Sequence, residues 1–168
     1  MLNTSYPQEE SGAKMDKNDI AQTYETILSE MEKDLAEFEF KRSGKGVLFY
    51  RYCADNRVGC AIQMQKSMFN LPGSYSFTMN LVCVSIPELR GYSKDKLTLS
   101  CLKSCLQIPQ AMQRIGHLCR GYDHWYELSD EIIEEYGLQE YYAHFVRKDI
   151  QKCAEYLNQQ ACEKESAL

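Results

Sequence analysis

Residues 58–84, VGCAIQMQKSMFNLPGSYSFTMNLVCV, contain the pattern that decides the fold. Apolar and polar side chains alternate before and after a loop at residues 67–74, in which Asn70, Pro72 and Gly73 are typical turn residues. Alternation of period two indicates a β-strand with one buried face, and two such runs joined by a short loop predict an antiparallel hairpin. We therefore expect one apolar core face on this hairpin and one solvated polar face.

Further strand-like segments flank the hairpin. Residues 47–53 are rich in aromatic side chains and predict a strand before it, residues 112–119 predict a fourth strand, and residues 125–128 predict a short extended piece. Residues 96–106 fit a strand or a helix equally well. Short connections between successive strands favour an antiparallel sheet of four to five strands.

Two stretches have helical periodicity. Apolar residues recur along one stripe from Ile20 to Phe38, and along another from Leu138 to about residue 161. Between the strands and the second stripe, Ser129 can cap a helix that is interrupted near Gly137. We predict an α+β fold in which the N-terminal and C-terminal helices pack on one face of the sheet.

The length and composition fit one domain. The chain has 168 residues, and we assign residues 1–15 to a disordered tail, 16–162 to a single α+β domain and 163–168 to a second tail. No apolar run approaches the ~20 residues that a membrane-spanning helix needs, and the N-terminus lacks the apolar segment of a secretory signal. We expect a cytoplasmic protein that does not associate with membranes.

The net charge of −5 is unevenly distributed. Residues 47–124 carry a net charge of +5, whereas the segments before and after them carry −4 and −6. A positive middle segment fits an anionic partner, but it also follows if acidic residues simply lie on exposed helix faces. Because the whole chain has no basic footprint, we expect no nucleic-acid partner.

The eight cysteines predict free thiols, because a chain of this size folds without disulfides in a reducing compartment. The best metal-binding candidates are Cys101, Cys105, His117 and Cys119, but their spacing matches no common zinc module. His117 and Cys119 lack an orienting third group for nucleophilic catalysis. We predict no metal and no cofactor.

Catalytic signatures are missing from the sequence. It contains no glycine-rich phosphate loop, no G-x-S-x-G elbow and no H-E-x-x-H pair. Asp123 and His124 offer an acid beside a base, which is one requirement of acid–base chemistry. The simpler interpretation is that Asp123 fixes a turn and that Trp125 anchors the C-terminal helices on the sheet. We therefore assign no catalytic residue.

The polar face of the hairpin is the best candidate for a binding surface. We expect Gln65 to lie opposite Ser76 and Gln63 opposite Thr78, which places Asn80 beside Ala61. Such side chains carry uncharged donors and acceptors, which suit binding better than bond cleavage. An ordinary solvated sheet face is the alternative interpretation.

Six short motifs in a fixed order resemble the bacterial domain-of-unknown-function family 4304: FKR at 40–42, FYR at 49–51, QMQKS at 63–67, FTMNL at 77–81, RIGHL at 114–118 and DHWY at 123–126. The resemblance covers about residues 20–131. It implies no established activity, and its recurrent elements coincide with the polar hairpin face at Gln65, Lys66, Ser67, Thr78 and Asn80. The chain departs from the family in its extra cysteines and its longer acidic C-terminal helix.

The predicted function is non-enzymatic binding of another protein, with toxin neutralisation of the immunity type as one form. The predicted binding residues are Arg51, Gln63, Gln65, Lys66, Ser67, Thr78 and Asn80. The alternative is a hydrolase or transferase that uses Arg51, Gln65, Lys66, Asn80 and the Asp123–His124 pair.

Overall fold

A computed structural model describes residues 17–44, 47–71 and 73–168. The predicted tail at residues 1–15 lies outside them. The helices are α1 (Lys17–Ala36), α2 (Leu99–Cys105), α3 (Ile115–Arg120), α4 (Asp130–Tyr136), α5 (Leu138–Phe145) and α6 (Arg147–Ser166). The strands are β1 (Lys41–Arg42), β2 (Leu48–Cys53), β3 (Val58–Lys66), β4 (Ser74–Ser85), β5 (Met112–Arg114) and β6 (Tyr126–Ser129). None of the described helices has both the length and the apolar character required to cross a bilayer.

The strands form one antiparallel sheet, which confirms the predicted α+β fold. Four strands follow chain order, β1-β2-β3-β4, and the outer edge of β4 is shared by two short strands. β6 pairs with Ser74–Phe77 at one end of β4, and β5 pairs with Asn80–Val82 further along. The long central strand β4 therefore holds together segments that are far apart in the sequence.

Helices α1, α5 and α6 cover one side of the sheet, which we call the helix face. The stripe of α1 that includes Ile27, Met31 and Leu35 is fully buried against sheet residues such as Ile62 and Phe77. Removal of this apolar surface from water is the main source of stability for this layer. The prediction that the terminal helices share one face is confirmed.

The opposite side, which we call the second face, is solvated over only part of its area. α2 and the preceding segment bury Leu97, Leu102 and Leu106 against Ala61 and the strands beside it. Small residues allow this approach: a Cβ added at Gly59 would lie 3.0 Å from Leu102 Cδ2. The expectation of a fully wet second face is therefore wrong for the half beneath α2. The ambiguous segment at residues 96–106 is helical, and Thr98 caps it by accepting a hydrogen bond from the Cys101 amide at 3.2 Å.

The hairpin register differs from the predicted one by two residues. Gln65 lies opposite Thr78, and Gln63 lies opposite Asn80. A shift of two residues leaves every side chain on its predicted face, so the alternation cannot detect it.

Two predicted element boundaries also differ. The predicted strand at residues 112–119 ends at Arg114, and helix α3 follows because Ile115, Leu118 and Cys119 meet the core at helical spacing. The last helical stripe is divided at Val146, whose φ of −120° breaks the helix into α5 and α6. α6 then continues to Ser166, which makes residues 163–166 of the predicted second tail helical.

Candidate functional site

The open half of the second face contains a groove lined mainly by amide side chains. Gln63 and Gln65 from β3, Asn80 from β4 and Gln107 after α2 line a cavity of about 350 Å³, together with Leu106 and Met112. We call this cavity the amide groove. It exists because α2 covers only part of the sheet, which leaves a step at the C-terminal end of that helix.

Asn80 has an unusual environment within the amide groove. Its side chain is only 5% exposed, and its Nδ2 donates a hydrogen bond of 2.8 Å to Gln65 Oε1. Its Oδ1 is buried and accepts no hydrogen bond from the described part of the chain. A buried acceptor without a partner typically costs about 1–3 kcal/mol, and because this oxygen has almost no exposed surface, a ligand in the groove reaches it only if neighbouring side chains move.

A second cavity adjoins the amide groove at Gln65. It has a volume of about 380 Å³ and is lined also by Ser67, Met68, Phe69, Ser76 and Trp125. We call this cavity the loop pocket. Met68 is 90% exposed and Phe69 is 85% exposed, so the rim offers two large apolar side chains to solvent.

Local hydrogen bonds hold the loop that carries these apolar side chains. Asn70 Oδ1 accepts from the Ser76 amide at 2.8 Å, and Asn70 Nδ2 donates to the Tyr24 hydroxyl at 2.8 Å. Ser67 Oγ accepts from the Phe69 amide at 3.1 Å. The loop is therefore tied to both β4 and α1, and Met68 and Phe69 project from a supported backbone.

Four of the seven predicted binding residues lie together at these two cavities: Gln63, Gln65, Ser67 and Asn80. Thr78 is fully buried, and its hydroxyl donates to the His124 carbonyl at 2.9 Å. Its burial keeps it from a partner's surface.

The two predicted cationic binding residues lie elsewhere. Lys66 Nζ sits 4.5 Å from the centre of the Tyr24 ring, on the helix face. Arg51 also lies on that face, where its guanidinium donates to Asn158 Oδ1 on α6. The structure thus separates both cations from the amide groove.

Sequence reasoning missed the contributions of Gln107 and Met112 to the groove. The position of α2 over the sheet brings them there, and no sequence pattern indicated that position. Trp125 was expected to be a buried anchor, but it is only partly buried. The Arg114 guanidinium lies 5.2 Å from the centre of the Trp125 ring. The Trp125 indole Nε1 donates a hydrogen bond to Asp123 Oδ2 at 3.3 Å.

The Asp123–His124 pair is not arranged as an acid–base relay. The Asp123 carboxylate accepts hydrogen bonds from Arg114 at 3.1 and 3.2 Å, while the His124 ring meets the Tyr126 ring at 4.7 Å. Burial, and next the charge of Arg120, lower the pKa of His124, so this imidazole is neutral at pH 7. Each side chain therefore has its own structural partner.

The four candidate metal ligands do not converge. Cys105, the last residue of α2, is buried against the second face, whereas Cys119 on α3 packs against the core of the helix face. The sheet therefore separates Cys101 and Cys105 from His117 and Cys119. Among residues 17–44, 47–71 and 73–168, no group of three or more histidine, cysteine, aspartate or glutamate side chains has a metal-binding arrangement.

No family model, curated protein or solved structure matches the chain. The resemblance to the domain-of-unknown-function family stays a prediction.

Proposed function

We propose that the protein is a binding protein that recognises an extended segment of another polypeptide through the amide groove and the loop pocket. The observation that carries this proposal is that four amide residues, Gln63, Gln65, Asn80 and Gln107, line one groove beside the exposed Met68 and Phe69. Each peptide unit of an extended partner presents one N–H donor and one C=O acceptor, and amide side chains can pair with both.

The chemistry of the groove lining favours binding. None of its seven lining residues has a titratable side chain. Amide side chains combine a donor with an acceptor, as a peptide bond does, and they pair with an extended backbone without requiring a charge. General acid–base or nucleophilic catalysis instead needs an ionisable or activated group near the substrate.

The rim favours a polypeptide over a small polar ligand. Met68 and Phe69 are followed by Leu71, which is 66% exposed, so the loop presents three apolar side chains beside a polar groove. Protein interfaces commonly combine exposed apolar anchors with hydrogen bonds at their edges. An occupant with an apolar side chain near Phe69 and a backbone along the amide groove would satisfy both features.

The alternative hydrolase or transferase gains no specific support. Arg51 and Lys66 lie on the helix face, away from Gln65 and Asn80. The toxin-neutralising role stays a prediction.

A peptide-display selection against the full chain tests the proposal. We expect enriched peptides to share one large apolar residue, and a synthetic peptide from this set to bind in isothermal titration. Phe69→Ser and Gln107→Ala should each weaken its binding about tenfold, the effect of 1.4 kcal/mol. Gln159→Ala on α6 is a matched control, because Gln159 is exposed and outside both cavities.

Two results would contradict the proposal. One is a selection that yields no peptide above background. The other is a peptide whose affinity is unchanged by Phe69→Ser and Gln107→Ala, since such a peptide would bind elsewhere on the molecule.

A further inference from the structure

A third cavity, of about 580 Å³, lies beside β6 and is bounded by α3, α4 and α5. Five of its lining residues are aromatic: Trp125, Tyr126, Tyr136, Tyr141 and Phe145. We call it the aromatic pocket. Its volume falls within the roughly 300–1,000 Å³ of typical small-molecule sites.

Three of these rings form a connected cluster in which one pair is nearly perpendicular and the other is tilted by 37°. The Tyr136 and Phe145 rings are nearly perpendicular at 89°, with centroids 5.5 Å apart, and the centroid of Tyr141 lies 5.1 Å from that of Phe145. Tyr126 and Tyr141 are buried at the base, whereas Tyr136 is 37% exposed and Phe145 is 43% exposed. The two exposed rings therefore form a rim that a ligand can contact.

Two carboxylates line the same pocket. Glu127 on β6 and Glu135 on α4 are exposed, and neither forms an ion pair with any residue in the described part of the chain. The pKa of Tyr141 is raised mainly by burial and further by the negative charge of Glu127. The Glu127 carboxylate is therefore within electrostatic reach of the Tyr141 ring.

The positive charge in the lining is already compensated. Arg120 Nη2 lies 2.8 Å from Asp149 Oδ2. His124, which also lines the pocket, is neutral at pH 7 because its pKa is lowered by burial and by Arg120. The pocket therefore has aromatic walls and two carboxylates without a bound counter-charge.

We propose that the aromatic pocket binds a small organic cation with an alkylated ammonium group. Aromatic faces attract a cation through the ring quadrupole, and carboxylates add a longer-range attraction. An alkylated ammonium is weakly hydrated and large enough to contact several rings at once. This site is distinct from the amide groove and does not depend on the proposed function, although it shares Trp125 with the loop pocket.

Titration of the full chain with choline tests this proposal. Trp125 is the single tryptophan and lines both the aromatic pocket and the loop pocket, so its fluorescence reports binding at either cavity and the variants below assign the signal to one of them. Calorimetry gives an independent affinity. The neutral isostere 3,3-dimethylbutan-1-ol has the same shape without the charge. We expect choline to bind saturably, and at least about tenfold more tightly than the isostere, because a cation–π contact contributes about 1–2 kcal/mol.

Matched variants locate the site. Glu127→Gln and Glu135→Gln should each weaken choline binding about threefold to fivefold, by removing one nearby charge. Phe145→Leu keeps apolar bulk but removes the ring, and we expect about a tenfold loss. Glu134→Gln is the control, because Glu134 is an exposed neighbour on α4 that lies outside the pocket lining.

Circular dichroism of each variant verifies that the fold is retained. Three results would overturn the proposal: no saturable choline signal below about 100 mM, a concentration that corresponds to negligible affinity, equal affinity for the neutral isostere, or an equal loss in Glu134→Gln and Glu135→Gln.

Discussion

The two halves of the second face are built from the same two strands but have opposite roles. Beneath α2, Gly59 on β3 lies opposite Val84 on β4, Ala61 lies opposite Val82, and all four residues are buried. A few residues along the same strands, Gln63, Gln65 and Asn80 replace them and no helix covers them. The change from small and apolar residues to amides marks where the core ends and the groove begins.

This difference shows how the side chains of a sheet determine which part of it a helix can cover. A helix approaches closely only where the sheet offers small or apolar side chains, since buried amides need hydrogen-bond partners. Where amides follow, α2 has ended, and Gln63 and Gln65 remain partly exposed to solvent or a ligand.

Substitution in the covered half should have the largest effect on stability. Leu102 is fully buried between α2 and the sheet, so Leu102→Ala should lower the free energy of unfolding by about 2–5 kcal/mol. Urea denaturation measures the loss. Leu71→Ala is the control, because Leu71 is 66% exposed, and it should cost less than about 0.5 kcal/mol. Equal losses in the two variants would show that α2 does not pack as described.

Substitution of Thr78 tests whether this side chain is buried below the open half of the second face. Thr78→Val removes the hydroxyl that donates to the His124 carbonyl and leaves that carbonyl unpaired, which should cost about 1–3 kcal/mol. Thermal and urea unfolding both measure this loss. Thr26→Val on α1 removes an exposed hydroxyl bond and should change stability by less than about 0.5 kcal/mol. A neutral Thr78→Val would place this side chain at the surface.

The Gln65–Asn80 pair should show coupling. Because Asn80 Nδ2 donates to Gln65 Oε1, a double-mutant cycle with Gln65→Ala and Asn80→Ala should give an interaction energy of about 0.5–1.5 kcal/mol. The cycle uses the unfolding free energies of the wild type, both single variants and the double variant. Strict additivity would contradict the bond across the groove.

Gln107 should have the smallest effect on stability. It is exposed at the groove edge, so Gln107→Ala should change the unfolding free energy by less than about 0.5 kcal/mol. The same variant should weaken the binding of a groove peptide about tenfold. A large loss of stability would instead assign Gln107 to packing between α2 and the sheet.

Local patterns in the sequence determined the elements of the fold. Alternation along β3 and β4 identified the hairpin and its apolar face, and the stripe of α1 identified the buried side of that helix. These inferences succeeded because the two periodicities, 2.0 and 3.6 residues, are geometric properties of single elements. The same patterns identified Gln63, Gln65 and Asn80 as one polar face.

The tertiary structure decided how those elements combine. The two-residue register shift was invisible because it preserves the faces, and α3 was mistaken for a strand because a short apolar run fits either period. The position of α2, which brings Gln107 to the groove, and the meeting of β6 with α3, α4 and α5 around the aromatic pocket depend on contacts between distant segments. Such contacts are selected by packing and by the burial of whole surfaces, so they cannot be deduced from the periodicity of any one segment.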